Sequence, residues 1–335
     1  MSSRPDPKEI EAVLLGGEAR YTREEAVRRA GASPEFAKRV WRALGFATRS
    51  SESVAFTDSD VEALRVTTEL MKNGVVDEDA VIRLARAMGQ TMARLAEWQT
   101  SILSTLSYTP GPSSGDSGHD PLVDLARDLL PDVERLLLHI WRRQLSASAA
   151  RRLAFMESSE DAAPTYFPLS VGFADLVSFT TLSRELDEVE LAEVVESFES
   201  TATDIVSSGG GRVIKTLGDE ILYVANTARQ AAEIALQLAD GVKTHTEVPD
   251  VRVGVAYGPV LALLGDVFGT TVNRSSRLTS FARPGTILID EALAEQLQDE
   301  ESLQVVAVRP RHAHGLGRLQ PYALRRRFEP GGAQG

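Results

Sequence analysis

The chain has 335 residues, a formal net charge of −12 and no cysteine. That length corresponds to about two domains, and a hydrophobic share of 43% is enough to build packed cores. Lack of cysteine excludes disulfides, thiolate zinc sites and cysteine nucleophiles, the acidic balance disfavours non-specific binding to nucleic acid or anionic lipid, and no apolar run of about 18 residues exists to span a bilayer.

The N-terminal stretch MSSRPDPKEIE is polar and carries no apolar signal core. With the missing cysteines, this makes a reducing cytoplasm the simplest setting. Residues 1–106 read as helical. Two short amphipathic stretches in YTREEAVRRAGASPEFAKRVWRALGF break at Gly31, Ala32 and Ser33, and Pro34 suits the first turn of the second. Eight Lys/Arg against three Asp/Glu between Arg20 and Arg49 give this segment a local charge of +5. FTDSDVEALRVTTELMKNG follows, with Thr57 or Asp58 as N-cap and Gly74 as stop. A longer amphipathic helix begins at VVDEDAV.

SYTPGPSSGDSGHDP, residues 107–121, is rich in Pro, Gly and Ser and reads as a flexible linker. Residues 122–164 read as one long connecting helix, with Leu122, Leu125, Leu129, Val133, Leu136 and Ile140 at three- and four-residue steps and Pro131 inside it. Two readings of its apolar stripe stand side by side: packing on its own domain, or a dimerisation or signal-carrying helix feeding the next domain.

From residue 165 to 327 strands and helices alternate. FPLSVGFAD is a strand. DEVELAEVVESFESTATDIVSS is a helix opened by the capping pair Asp187 and Glu190. RVIKTL and EILYVA form a hairpin about Gly218–Asp219. A helix from ARQAAEIALQLADGVKTH, a strand VRVGVAYG, a separate short strand VLALLG, a helix NRSSRLTSFA and a strand TILID follow. This order predicts an antiparallel or mixed sheet covered by helices, with a βαβ element. Residues 328–335 read as a disordered tail.

Three segments carry candidate chemistry. In FADLVSFT, Asp175 stands where a strand ends and a helix begins, beside the amides of residues 176–180. That arrangement suits a metal holding a phosphate chain. In KTLGDE, Asp219 occupies a hairpin turn and Lys215 sits inside an apolar strand, where an ammonium must be exposed, paired or functional. In GDVFGTTVNRSSR, Asn273 and Arg277 are four residues apart and share one helical face, with Asp266 in a glycine-flanked loop before them.

Taken together, the patterns F-x-D-x-x-x-F-T, K-T-x-G-D-E and G-D-x-F-G-x-x-V-N-x-x-x-R, followed by ARPGTILID, resemble the catalytic domain of class III nucleotidyl cyclases. The resemblance covers about Phe167 to Arg327. It implies an α+β fold: a ferredoxin-like, βαβ-containing cyclase domain preceded by an all-α regulatory domain. It implies adenylyl cyclase activity on ATP. Asp175 and Asp219, with the backbone carbonyl of Leu176, would hold two divalent cations, Mg²⁺ or Mn²⁺. Lys215 and Asp266 would select adenine, Phe179 and Thr180 would line the substrate site, Asn273 would orient the ribose, and Arg277 would stabilise the α-phosphate. The sites would be shared across a homodimer, with no membrane partner and no nucleic acid partner.

The sequence departs from the family where Ser178 stands in place of a common glycine, where AYGPV lacks an arginine, and where His314 stands in place of a triphosphate-binding lysine, with Arg309 or Arg311 as substitutes. The N-terminal half resembles the regulatory region of actinobacterial adenylyl cyclases, some of them pH-responsive. His139, His312 and His314 supply groups that change charge near neutral pH. Its first segment is also similar to the winged helix-turn-helix of MerR-type regulators. The alternative reading is therefore a DNA-binding regulator with a degenerate, nucleotide-sensing cyclase domain.

Overall fold

The structure is a computed structural model describing residues 7–46, 52–105, 121–158, 166–241, 250–263 and 265–327. The linker expected at 107–121, except Pro121, the end of the connecting helix at 159–164 and the tail at 328–335 lie outside the described residues. Two compact units divide the chain, Met1–Ala150 and Arg151–Gly335. None of the described helices is long and apolar enough to cross a membrane.

The first unit is helical: α1 Pro7–Leu14, α2 Arg23–Ala30, α3 Pro34–Leu44, α4 Asp58–Lys72, α5 Glu78–Thr105, and most of α6 Pro121–Ser158. Local chemistry sets the boundaries. Thr22 caps α2 reciprocally with Glu25, Gly31 ends it in the left-handed conformation, and Ser33 caps α3 ahead of Pro34. Thr57 caps α4 with Asp60. Val27, Phe36, Val40, Trp41, Leu64, Val81 and Ile82 close one core, with the ring of Phe56 4.6 Å from that of Trp41. The basic segment is partly neutralised within this unit. Arg20 pairs with Asp58 at 3.1 Å, Arg39 with Glu78 and Asp79, and the guanidinium of Arg29 lies 4.6 Å from the Tyr21 ring centroid. Pro131 sits inside α6 without ending it, and Leu136, Ile140, Trp141 and Leu145 are exposed along it.

The second unit is built on one sheet: β1 Tyr166–Leu176, β2 Arg212–Thr216, β3 Glu220–Ala225, β4 Val251–Leu263, β5 Asp266–Phe268, β6 Ile287–Ile289, β7 Leu303–Ala307 and β10 Tyr322–Arg326. A separate hairpin joins β8 Arg311–Ala313 to β9 Gly317–Leu319. The sheet order is β2-β3-β1-β4-β6-β10-β7, with β5 on β4. Its first four strands are antiparallel neighbours in the order expected of a ferredoxin-like βαββαβ unit, while β4 and β6 run parallel. The helices are α7 Phe179–Glu185, α8 Glu188–Ser208, α9 Ala228–Gly241, α10 Thr270–Phe281 and α11 Glu291–Gln296.

Alternation along the strands gives the sheet two apolar faces. On one, Ala174, Leu176, Ile221, Tyr223, Val251, Val253 and Val255 bury against Phe198, Ala202 and Val206 of α8 and against Ile234 and Leu238 of α9. On the other, Val171, Phe173, Leu222 and Val224 pack with Val260 and Val267, and α10 lies across β4 through Leu278. A Cβ on Gly254 would overlap Thr279 N and Ser275 O, so only glycine lets α10 come this close.

Two details differ from the sequence reading. VRVGVAYG and VLALLG form one continuous strand, β4, because Gly258 (φ 155°) and Pro259 keep extended pairing with β1 through Leu169 and Pro168. The three-residue β5 is too short to leave a periodic pattern in the sequence.

Candidate active site

Asp175 is the penultimate residue of β1, on the face shared by Val171 and Phe173. The cross-strand register places Glu220 of β3 on one side of it and Arg252 of β4 on the other. Asp175 is only 8% exposed. Arg252 Nε donates to its Oδ2 at 2.6 Å, and Nη2 reaches the same oxygen. Burial pushes the Asp175 carboxyl above the ordinary range, Arg252 pulls it back, and the charge of Asp219 adds a smaller upward push. Glu220 is pushed up to about 7, by burial first and then by Asp175 and Asp219. This end of the sheet therefore concentrates negative charge.

Asp219 sits in the β2–β3 turn, where Gly218 takes φ 74°. Its main-chain oxygen accepts from Leu176 N at 2.9 Å, which ties the turn to the end of β1. The structure thus brings Asp175, Leu176 and Asp219 together. Among the described residues no three His, Cys, Asp or Glu side chains form a cation-ligand set. The donors are two carboxylates and backbone oxygen. Such hard ligands suit a cation of the Mg²⁺ type that takes its remaining ligands from phosphate and water.

The expectation of available amides from 176 to 180 is corrected at its start. Leu176 N and Val177 N donate to Asp219 O and Asp250 O, at 2.9 and 2.8 Å. Ser178 precedes α7 at φ 62°, ψ 20°, the only positive φ outside glycine among the described residues. Phe179 and Thr180 open α7, and the Phe179 side chain packs against the main core.

Lys215 and Asp266 are 51 residues apart and form an ion pair, with Nζ 2.6 Å from Oδ2. The meeting is topological. β4 runs beyond the start of β1, and β5 doubles back along it to lie beside β2. Asp266 Oδ1 accepts from Val267 N at 2.8 Å. Both groups stay partly accessible, at 34% and 27% of the side chain.

Asn273 and Arg277 project from the exposed face of α10, opposite the buried Ser275 and Thr279. They share a cavity of about 250 Å³ with Ser276, His314, Gly315 and Leu316. His314 thus stands beside the Asn–Arg pair, whereas the guanidinium of Arg311 stacks 5.3 Å from the Phe281 ring centroid. Among the described residues no hydrogen bond or ion pair joins Asp175 or Asp219 to Asn273 or Arg277. Sequence reasoning missed Arg252. Its signal was the one that singled out Lys215, a cation within an otherwise apolar strand.

The family described as the adenylate and guanylate cyclase catalytic domain matches residues 162–326. An adenylate cyclase of Streptomyces coelicolor is 42% identical, across 96% of this chain and 90% of that protein. An adenylate cyclase of Streptomyces griseus is 45% identical, across 86% and 71%. A pH-sensitive adenylate cyclase of Mycobacterium tuberculosis is 28% identical, across 93% and 80%. The similarity therefore includes the helical unit as well as the sheet.

Proposed function

Because the chain belongs to the family of adenylate and guanylate cyclase catalytic domains, we propose that it converts ATP to 3′,5′-cyclic AMP and pyrophosphate. The observation that carries this reading is the Lys215–Asp266 pair. An ammonium and a carboxylate held side by side match adenine, whose ring N1 accepts and whose 6-amino group donates. Guanine reverses both, and leaving each group unpaired costs about 1–3 kcal/mol.

Asp175 and Asp219, with the Leu176 carbonyl, would hold two divalent cations, Mg²⁺ or Mn²⁺. Ions bound there lower the pKa of the ribose 3′-hydroxyl and neutralise the triphosphate. Asn273 orients the ribose for in-line attack. Arg277, always charged and planar, faces the negative charge that grows on the α-phosphate as the bond to pyrophosphate breaks. The main chain of Phe179 and Thr180, at the start of α7, would flank the phosphate end. His314 takes the triphosphate role in preference to Arg309 or Arg311, because it lines the cavity of Asn273 and Arg277.

The cavity of Asn273 and Arg277 is lined without Asp175 or Asp219, which supports a site shared by two copies. One copy gives Asp175 and Asp219, and the other gives Lys215, Asp266, Asn273 and Arg277. The helical unit regulates this alignment. Relatives align across it, one of them named pH-sensitive, and the setting is the cytoplasm.

The direct test is purified full-length protein with ATP or GTP and Mn²⁺ or Mg²⁺, resolving the cyclic products. Cyclic AMP is the expected product. Asp175→Asn and Asp219→Asn should each lower the rate by about 100-fold or more with unchanged circular dichroism, since the cations supply several kcal/mol. Equal turnover of GTP, or near-normal rates in either folded variant, overturns the reading.

A further inference from the structure

Asp290 follows the last residue of β6 and caps α11. The parallel ladder of β4 and β6 stops there. Asp290 N still donates to Val255 O at 3.1 Å, but its main-chain oxygen accepts from Ala294 N in the first turn of α11. The next ladder donor, Tyr257 N, goes instead to Oδ1 of the Asp290 carboxylate at 3.1 Å, and Leu293 N shares that oxygen at 3.0 Å. The other oxygen, Oδ2, accepts from Arg274 Nη1 of α10 at 2.6 Å. Glu291 and Glu295 line the same cavity of about 380 Å³ as Arg274, yet the guanidinium pairs with Asp290, which is only 3% exposed and already fixed by a strand and a helix end.

The place of Arg274 on α10 gives this pair its consequence. At about 100° of turn per residue, Ser275 and Thr279 lie at about +100° and +140° from Arg274, and Asn273 and Arg277 at about −100° and −60°. Arg274 thus stands on the flank between the face anchored to the sheet and the face that carries Asn273 and Arg277. The hydroxyls of Ser275 and Thr279 hold the helix along one line. Contacts along one line leave roll about the helix axis open, and an ion pair on the flank closes it.

We propose that Asp290 and Arg274 are positioning residues that set the roll of α10 and so aim Asn273 and Arg277 at the ribose and the α-phosphate. This rests on the reading of Asn273 and Arg277 as substrate-facing groups of a cyclase. A displacement of about 1 Å at a reacting centre can cost about 100-fold in rate, so a small roll is enough to matter. Arg277 meets charge that grows only in the transition state, whereas Lys215 and Asp266, on β2 and β5, hold the base. Loss of the pair therefore lowers kcat and leaves KM for ATP nearly unmoved.

The experiment measures steady-state kinetics of full-length protein with ATP and Mg²⁺, well below each variant's thermal midpoint. Asp290→Asn keeps an acceptor for Tyr257 N and Leu293 N and a good helix cap, and removes only the charge that holds Arg274. Its kcat should fall at least about tenfold, with KM within about threefold of wild type. Arg274→Gln should do the same and serves if the asparagine variant fails to fold. The double variant should be no slower than either single one, because both remove one interaction. Arg274→Lys, which keeps a charged donor, should recover to within about threefold of wild type. The rate ratio between the two diastereomers of α-thio ATP is read alongside, since it does not depend on how much of a sample is folded; it should shift by at least about threefold in both neutral variants. Variants that lose thermal stability but keep the wild-type kcat and diastereomer ratio show a purely structural pair and overturn the proposal, leaving the cyclase reading intact. A wild type that makes no cyclic AMP overturns both.

Discussion

Ser178 holds a left-handed backbone, φ 62°, at the junction of β1 and α7. An L side chain there costs about 1–2 kcal/mol. Ser178→Gly removes that strain but gives back part of it in unfolded-chain entropy. Stability of the second unit should rise by up to about 1 kcal/mol, or about 2–4 °C in thermal midpoint for a unit of this size. A lowered midpoint contradicts the assignment of strain. At this scale the sequence was informative about identity and poor about contacts. Asp175, Asp219, Lys215, Asp266, Asn273 and Arg277 could each be named from motifs. That Lys215 touches Asp266, and Asp175 touches Arg252, depends on strand register across 51 and 77 residues of chain, which no local pattern encodes.

Among the elements, α10 is placed by three small residues, two of its own and one on β4. Ser275 Oγ donates to Val171 O and Gly254 O at 2.8 and 2.9 Å, Thr279 Oγ1 reaches Phe173 O at 3.4 Å, and Gly254 leaves room for the helix backbone. Gly254→Ala should destabilise the second unit by about 1–3 kcal/mol through overpacking, read from its urea midpoint. It should also slow cyclisation, because α10 carries Asn273 and Arg277. An unchanged midpoint would mean that α10 yields without cost. Helices with caps were legible from sequence, since Ser33, Thr57 and Asp187 act locally. Strands were less so. β4 continues through Gly258 and Pro259, and β5 needs β4 as a template. The short strands from β7 to β10 have no length over which a period can be read.

The whole molecule has two units of different character, a helical one and a sheet that carries the chemistry. If two copies share each site, Asp219→Ala and Arg277→Ala are each inactive alone, and an equilibrated equimolar mixture regains about a quarter of wild-type activity, because half the dimers are mixed and each keeps one intact site. Mixing that restores nothing under subunit exchange contradicts shared sites. Removing residues 1–150 should change specific activity and flatten its profile between about pH 5.5 and 8, the range in which histidine titrates; superimposable profiles would leave the helical unit without that role. The hydroxyl anchors of α10 carry this further. They fasten the helix bearing Asn273 and Arg277 to the carbonyls of Val171 and Phe173, on the strand that ends in Asp175. If two copies share each site, each protomer is a ruler of fixed length between its two half-sites. What such a pair leaves adjustable is then the angle at which one ruler is laid against the other.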